Sequence, residues 1–290
     1  MGVFVMSLYD LSLVDDSYNA VFWVWLVFPR DTKTAYMTEN SLELMNAKSS
    51  KPMFFFNTIK DSKRWVTIKY NAVLMHNWNM TDFPFDRQLL KIELEEAEHD
   101  AKRIRFIPDR INSGIDSMIK VPGWKVDSFS IESHLDINET TYGDPSISER
   151  STYPESVVTI TLKREGLRLL FNLLTAAYVA FILAMMVLFL HPEYVDARKV
   201  VLTSAMITII GNHYIISATL PEMPEFTLID RIMVTTFIAI CLVAFFSVLT
   251  SHYVRAKKTK TAVRINSIGR WSILVIYIAL NAFFYIRALT

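Results

Sequence analysis

Four long apolar runs in the second half constrain this chain more than any other feature. Residues 169–190, 200–220 and 232–253 carry no Asp, Glu, Lys or Arg over 22, 21 and 22 positions, and residues 271–286 form a fourth run of 16. A helix needs roughly 20 apolar residues to cross about 30 Å of hydrocarbon. Soluble helices, the alternative, rarely lack a charged face. The runs therefore predict four membrane spans, at about residues 167–190, 197–220, 228–253 and 268–289.

Charges in the links between the spans predict how the chain is oriented. The link between the second and third spans contains three acidic residues and one basic residue. The link between the third and fourth spans has six basic residues and no acidic one: Arg255, Lys257, Lys258, Lys260, Arg264 and Arg270. Basic links stay in the cytoplasm. We therefore expect an integral membrane protein with both termini and the whole first half on the periplasmic or extracellular side.

The first half has the pattern of a β domain. Short alternating stretches predict strands at 19–28, 69–74, 89–94, 104–107, 124–131 and 157–162, with prolines such as Pro52 between them. Many short strands without intervening helices favour a sandwich of two sheets. We therefore expect an all-β extracellular sandwich at residues 1–165 and an all-α four-helix transmembrane bundle at residues 166–290.

Several function classes lack their sequence features. The chain contains no nucleophile elbow, no Walker loop and no HExxH motif, so we do not expect an enzyme. Cys241 is the single cysteine, which excludes an intrachain disulfide and a cysteine-based metal site. A net charge of +1 argues against nucleic acid as a partner. We predict no metal and no cofactor.

One loop carries a family resemblance. Residues 80–88 read MTDFPFDRQ, and Phe83-Pro84-Phe85-Asp86 places a proline between two aromatic residues, which suits a tight turn and a cis peptide bond. This segment resembles the signature loop of pentameric ligand-gated ion channels, the Cys-loop receptor superfamily. Two cysteines bracket the loop in animal members, and His76 and Leu90 stand at those positions here. The missing disulfide makes the chain resemble a prokaryotic member, which implies a bacterial inner membrane.

The resemblance extends over almost the whole chain. Gly123-Trp124, Arg164 and Leu220-Pro221 match family positions before a strand, at the end of the last strand and at the end of the second span. Two positions depart from the family: Phe171 replaces an early proline of the first span, and Ser50 replaces a tryptophan before Pro52. The first departure is expected to change local helix flexibility, and the second weakens one wall of the usual ligand pocket.

The second span is more polar than the others. At helical spacing, one stripe contains Asp196, Val200, Thr203, Ser204, Ile207, Gly211, Tyr214 and Ala218. Polar side chains facing lipid are unfavourable, so the stripe should face water or protein; a polar seam between helices is the alternative. The resemblance implies that the stripe lines a pore among five identical subunits, with Asp196 setting selectivity, Ile207 at the hydrophobic midpoint, and Arg198 and Lys199 turned away from the water.

The resemblance also implies a ligand site between adjacent subunits, built from aromatic side chains. By position, Tyr142 and Tyr153 would come from one subunit, and Trp23 and Trp25 from its neighbour, although we expect only one of this alternating pair to face the site; sandwich core is the alternative for both. Glu95 lies in an acidic run beside His99, where clustered carboxylates raise one another's pKa values. A small-molecule agonist, a small cation or a pH change could each be the stimulus.

Gating is expected to pass through residues that meet at the junction between the two halves in this family. Those positions are Asp15, Asp16, Phe83, Pro84, Phe85, Asp86, Arg164, Leu220 and Pro221. The sequence thus predicts a homopentameric cation channel opened by a ligand or by pH, with lipid and permeant monovalent cations as partners. Two alternatives stay open: an anion-selective channel of the same family, and a membrane-anchored β-domain receptor without a pore.

Overall fold

The structure is a computed structural model that describes residues 1–29, 42–96, 99, 101–137, 152–219 and 226–289. Within these residues, nine strands precede four long helices. The chain divides into two units. A strand unit consists of Met1–Trp78 and Arg87–Lys163, and a helical unit consists of Asn79–Asp86 and Arg164–Thr290. The predicted class, a β-sandwich followed by a four-helix bundle, is confirmed.

The strand unit contains two sheets. The five-stranded sheet has the order β4 (Ala47–Lys60), β5 (Lys63–Met75), β2 (Ser17–Pro29), β1 (Gly2–Ser12) and β7 (Gly114–Ile115). The four-stranded sheet has the order β3 (Leu42–Leu44), β6 (Arg87–Glu96), β9 (Thr152–Arg164) and β8 (Trp124–Ile137). Strand β1 pairs with β7 in parallel, whereas the pairs β1–β2, β2–β5, β4–β5, β3–β6 and β6–β9 are antiparallel.

Alternation along the strands builds the core of the strand unit. In β2, every second residue from Tyr18 to Leu26 is buried, and the residues between them are half-buried. This period of two is what a sheet with one face on a core requires. The largest fully buried side chains of this unit are Tyr18, Phe22, Ile68, Leu74, Leu90, Ile92, Leu94, Ile160 and Leu162.

Two local expectations from the sequence are wrong. Residues 104–107 form no strand and pair with no strand among the described residues; the Met1 amine donates to the Ile107 carbonyl at 2.8 Å. Pro52 does not separate strands but lies inside β4, beside an irregularity in the pairing with β5. A proline is tolerated there because β4 is an edge strand, where a missing N–H leaves no ladder bond unmade.

The helical unit has four helices that cover the four apolar runs. They are α1 (Leu167–Phe189), α2 (Val195–Thr219), α3 (Leu228–Arg255) and α4 (Thr259–Leu289). Each is long and apolar enough to cross a membrane, which is compatible with an integral membrane protein. The start of α3 is fixed by a capping box, in which Thr227 and Asp230 satisfy each other's backbone N–H groups.

Candidate functional site

The face of α2 that is not packed on other helices carries the predicted stripe. All eight stripe residues are exposed in the single chain, from Asp196 at the start to Ala218 near the end. The buried residues of α2 are Arg198, Ala205, Ile209, Asn212 and Ile216. At 3.6 residues per turn, their mean direction lies about 160° around the helix from the stripe. The stripe therefore faces away from the bundle of its own chain.

The opposite face of α2 is held by a buried asparagine. The Asn212 side-chain amide donates to the Leu173 carbonyl of α1 at 3.0 Å and approaches the Met233 sulfur of α3 at 3.3 Å. On the exposed face, the hydroxyls of Ser204 and Thr208 donate to carbonyls one turn earlier in the same helix, at 3.0 and 2.8 Å. Packing thus fixes which side of α2 is left uncovered.

Charged residues at the start of α2 point in different directions. The Asp196 side chain is 95% exposed, and the Lys199 Nζ lies 3.2 Å from its Oδ1. Lys199 is itself exposed rather than turned inward. Arg198, in contrast, is 1% exposed. The start of the stripe therefore presents one carboxylate and one ammonium group per chain, with the guanidinium packed behind them.

A buried ion pair holds the FPFD loop to Arg164, three residues before α1 begins. The Arg164 guanidinium bonds both carboxylate oxygens of Asp86, at 2.6 and 3.1 Å, with side chains 12% and 2% exposed. It also lies 4.9 Å from the centre of the buried Phe83 ring. The Phe83–Pro84 peptide bond is cis. A Cβ added to Gly166 would lie 1.8 Å from the Pro84 carbonyl oxygen, so this close approach requires glycine.

The other predicted coupling residues have different surroundings. Phe85 is half-buried, and its N–H donates to the Asp82 carbonyl at 2.8 Å. Asp15 and Asp16 are exposed in the turn between β1 and β2, where Asp15 accepts from the Ser12 hydroxyl at 2.8 Å. Leu220 and Pro221 lie outside the described residues.

Carboxylates form a row across the four-stranded sheet. Glu95 of β6 lies directly opposite Glu43 of β3 on one side and Glu155 of β9 on the other. Directly opposite residues share a face of the sheet, with Cβ atoms about 5 Å apart. Glu95 is 8% exposed, and its Oε2 atom has no hydrogen-bond partner among the residues that the structure describes. The row therefore holds a buried carboxylate between two others.

This arrangement shifts titration towards neutral pH. Burial, followed by the charges of Asp136, Glu155 and Glu43, raises the pKa of Glu95 from 4.5 to about 7. Burial and neighbouring carboxylates also raise the pKa of Glu155. Tyr153 lies on the same face, two residues before Glu155 in β9. Tyr142, its predicted companion, is outside the described residues.

The two tryptophans of β2 lie on one face, and the expectation that only one of them could face the site is wrong. Residues two apart in a strand point the same way, and Trp23 and Trp25 are both half-buried between core residues. Neither belongs to the core. The Trp23 ring stacks near Phe54 and Phe56, at 6.4 and 6.3 Å between centroids.

The two tryptophans of β2 have different surroundings. Lys69 lies 5.5 Å from the centre of the Trp23 ring, in cation–π geometry. The Trp25 indole N–H donates to Asp109 at 3.2 Å. Trp23 therefore lies in an aromatic patch that already holds a cation of its own chain. In the single chain, this patch and Glu95 lie on different sheets.

Sequence reasoning missed several of these partners. Strand β4 contains Phe54 and Phe56, and β5 contains Lys69, so strand pairing in the sheet brings them beside Trp23. The spacing of Phe54 and Phe56, two residues apart, was the available signal in the sequence. No group of three or more His, Cys, Asp or Glu residues in the described ranges is arranged to hold a metal ion. No protein-family model and no curated protein matches the chain. The proposal for function therefore depends on the fold and the side-chain geometry.

Proposed function

We propose that five copies of this chain form a cation-selective channel whose pore is lined by α2. The observation that carries the proposal is the polar stripe on the uncovered face of α2. The uncovered faces of α1, α3 and α4 present large apolar side chains such as Phe171, Phe245 and Ile278, which suits contact with lipid. The stripe instead contains Asp196, Thr203 and Ser204, which are unfavourable in lipid. Water is the environment that fits it.

Charge selectivity in this proposal comes from Asp196. A ring of carboxylates in a narrow mouth attracts cations and repels anions. The Asp196 side chain is 95% exposed, so its charge can act on ions in the water. About three turns further along α2, Ile207 is 67% exposed on the same face. A ring of such side chains would close the resting pore by excluding water.

The family resemblance supports the assembly and its setting. The FPFD loop, the Arg164–Asp86 pair and the order of a β-sandwich before four helices agree with a pentameric ligand-gated channel. Gating would pass from the strand unit to α2 through the FPFD loop. By the positive-inside rule, the strand unit and the C-terminus would lie outside a bacterial inner membrane.

The carboxylate row suggests the stimulus. Glu95 lies between two other carboxylates, so a proton or a small cationic agonist would relieve the repulsion. The raised pKa of Glu95, about 7, places its proton uptake in a range that external pH can change. An aromatic patch at Trp23 on a neighbouring subunit would supply a second wall for a cation.

Selectivity is tested by reversing the charge of the stripe. We expect Asp196→Lys to lower or reverse the preference for cations in bi-ionic reversal potentials. Glu193→Lys is the matched control, because Glu193 is an exposed carboxylate three residues earlier, before α2 begins. An unchanged reversal potential in Asp196→Lys, or an equal shift in both variants, would contradict the assignment of Asp196.

The stimulus is tested by recording under voltage clamp while external pH and candidate amines are varied. We expect Glu95→Gln to lose the response that wild type shows as external pH is lowered through about 7, where the folded chain takes up the Glu95 proton. Glu132→Gln, an exposed carboxylate on β8, should keep that response. If both variants respond like wild type, the stimulus acts elsewhere.

Anion selectivity is the second candidate, and one observation favours it. Lys199 is exposed and lies 3.2 Å from Asp196, so each chain offers a positive charge at the same mouth. The same reversal-potential measurement on wild type separates the two signs. A receptor without a pore, the third possibility, predicts that no ionic current flows under any stimulus.

A further inference from the structure

Arg198 is among the largest fully buried side chains of the described residues, although it lies at the beginning of α2. Its Nη2 atom donates to the Leu190 carbonyl at 3.0 Å and to the Asn266 side-chain oxygen. Its Nε and Nη1 atoms are buried and have no hydrogen-bond partner within the described ranges. In the described part of the chain, Arg198 forms no ion pair. Its charge is therefore balanced by neutral groups alone.

Asn266 of α4 completes this arrangement. It is 4% exposed, and its amide donates to the Leu188 carbonyl at 2.6 Å while its oxygen accepts from Arg198. Leu188 and Leu190 lie at the C-terminal end of α1, where carbonyls lack partners within the helix. We call Leu188, Leu190, Arg198 and Asn266 the three-helix junction, because it joins the end of α1, the start of α2 and the side of α4.

The two helix ends explain why Arg198 can be held here. The C-terminal end of a helix carries partial negative charge and favours a cation, whereas the N-terminal end of α2 disfavours one in its first turn. A buried guanidinium without a counter-charge is nevertheless costly. An arginine of this length can instead place its head group in water at the membrane surface. Without the junction, Arg198 would therefore move towards the aqueous mouth.

We propose, on the basis of the channel function proposed above, that Asn266 determines charge selectivity from the lipid-facing helix by holding Arg198 away from the pore. Asp196 lies two residues before Arg198, at the start of the stripe. A ring of released guanidinium groups would offset the carboxylate ring there, in addition to Lys199. Asn266 is 4% exposed and acts through its contact with Arg198, so it is a positioning residue.

The electrical test compares two buried asparagines of α4. We expect Asn266→Leu to lower the K⁺ over Cl⁻ permeability ratio by about threefold or more, since a positive ring repels cations. Asn281→Leu is the matched control, because Asn281 is 8% exposed on the same helix and contacts Tyr178 and Tyr277 instead. Its ratio should equal that of wild type. Asn266→Asp supplies a counter-charge to Arg198 and should preserve cation selectivity.

A second variant separates charge from packing. In Asn266→Leu combined with Arg198→Gln, no guanidinium remains, so the permeability ratio should return towards wild type even if less protein assembles. A junction that is only structural would change the yield of assembled protein or the open probability, but not the ratio. An unchanged ratio in Asn266→Leu, or a ratio that Arg198→Gln does not restore, overturns the proposal.

A chemical test needs no current. Phenylglyoxal modifies accessible guanidinium groups, and mass spectrometry of the purified protein locates the labelled arginine. We expect Arg198 to be protected in wild type and in Asn281→Leu, and to react several-fold faster in Asn266→Leu. Equal protection in all three proteins refutes the inference even if wild type conducts cations. Release of Arg198 in a protein that carries no current refutes the channel function and, with it, the claim on selectivity.

Discussion

The ion pair between Arg164 and Asp86 allows a quantitative test of how the FPFD loop is held to the residues just before α1. Asp86→Asn keeps the shape of the side chain but leaves the guanidinium buried without its counter-charge. Removing one partner of a buried pair costs about 3–5 kcal/mol. We expect about 3 kcal/mol, at the low end, because Arg164 keeps 12% of its side chain exposed and retains its contact with the Phe83 ring.

The measurement is thermal unfolding of the purified assembly in detergent. A loss of 1 kcal/mol lowers the midpoint by about 2–4 °C in chains of 150–250 residues, so Asp86→Asn should lower it by about 6–12 °C. Arg164→Gln should lower it similarly, since it leaves the Asp86 carboxylate buried without its cation. The double variant removes both charges and should lose only about 1 kcal/mol, because two neutral amides can still bond each other.

The order of these midpoints decides the test. If the double variant loses as much stability relative to wild type as the two single variants together, the two residues act independently and the pairing is refuted. Under the proposed function, the same contact transmits gating. Arg164→Ala should then give assembled channels that open poorly, and wild-type currents from this variant would count against that role.

Two further predictions concern other parts of the chain. Between pH 4.5 and about 7, the folded chain keeps a proton on Glu95 that the unfolded chain releases. The strand unit should therefore become more stable as pH falls through this range. In thermal melts recorded across pH, Glu95→Gln should flatten this dependence, whereas Glu132→Gln should keep it. Gly166→Ala should destabilise the protein by about 1–3 kcal/mol, because its Cβ would overlap the Pro84 carbonyl. Gly114→Ala, with no atom within 4 Å of the added Cβ, is the control for the same melts, and equal midpoints in both variants would contradict the predicted overlap.

The pattern of apolar residues was enough to predict the four helices from the sequence. A run that lacks charge over about 20 residues has few stable alternatives to a membrane-spanning helix, and α1 to α4 cover the four runs. Strand pattern was less reliable. Residues 104–107 alternate as a strand does but have no neighbouring strand to pair with in the described chain, and pairing depends on which segments meet in space.

The stripe on α2 could also be predicted, because 3.6-residue spacing is a local property that needs no partner. The stripe is exposed because Asn212 and Arg198 pack the opposite face of α2 into the bundle, and this packing is decided by the tertiary structure. The row of Glu43, Glu95 and Glu155 is invisible in one dimension, since its members come from three strands up to 112 positions apart. The junction of Arg198 with Asn266 likewise joins residues 68 positions apart. Local periodicity therefore specified the elements, whereas strand register and helix packing specified which charges meet.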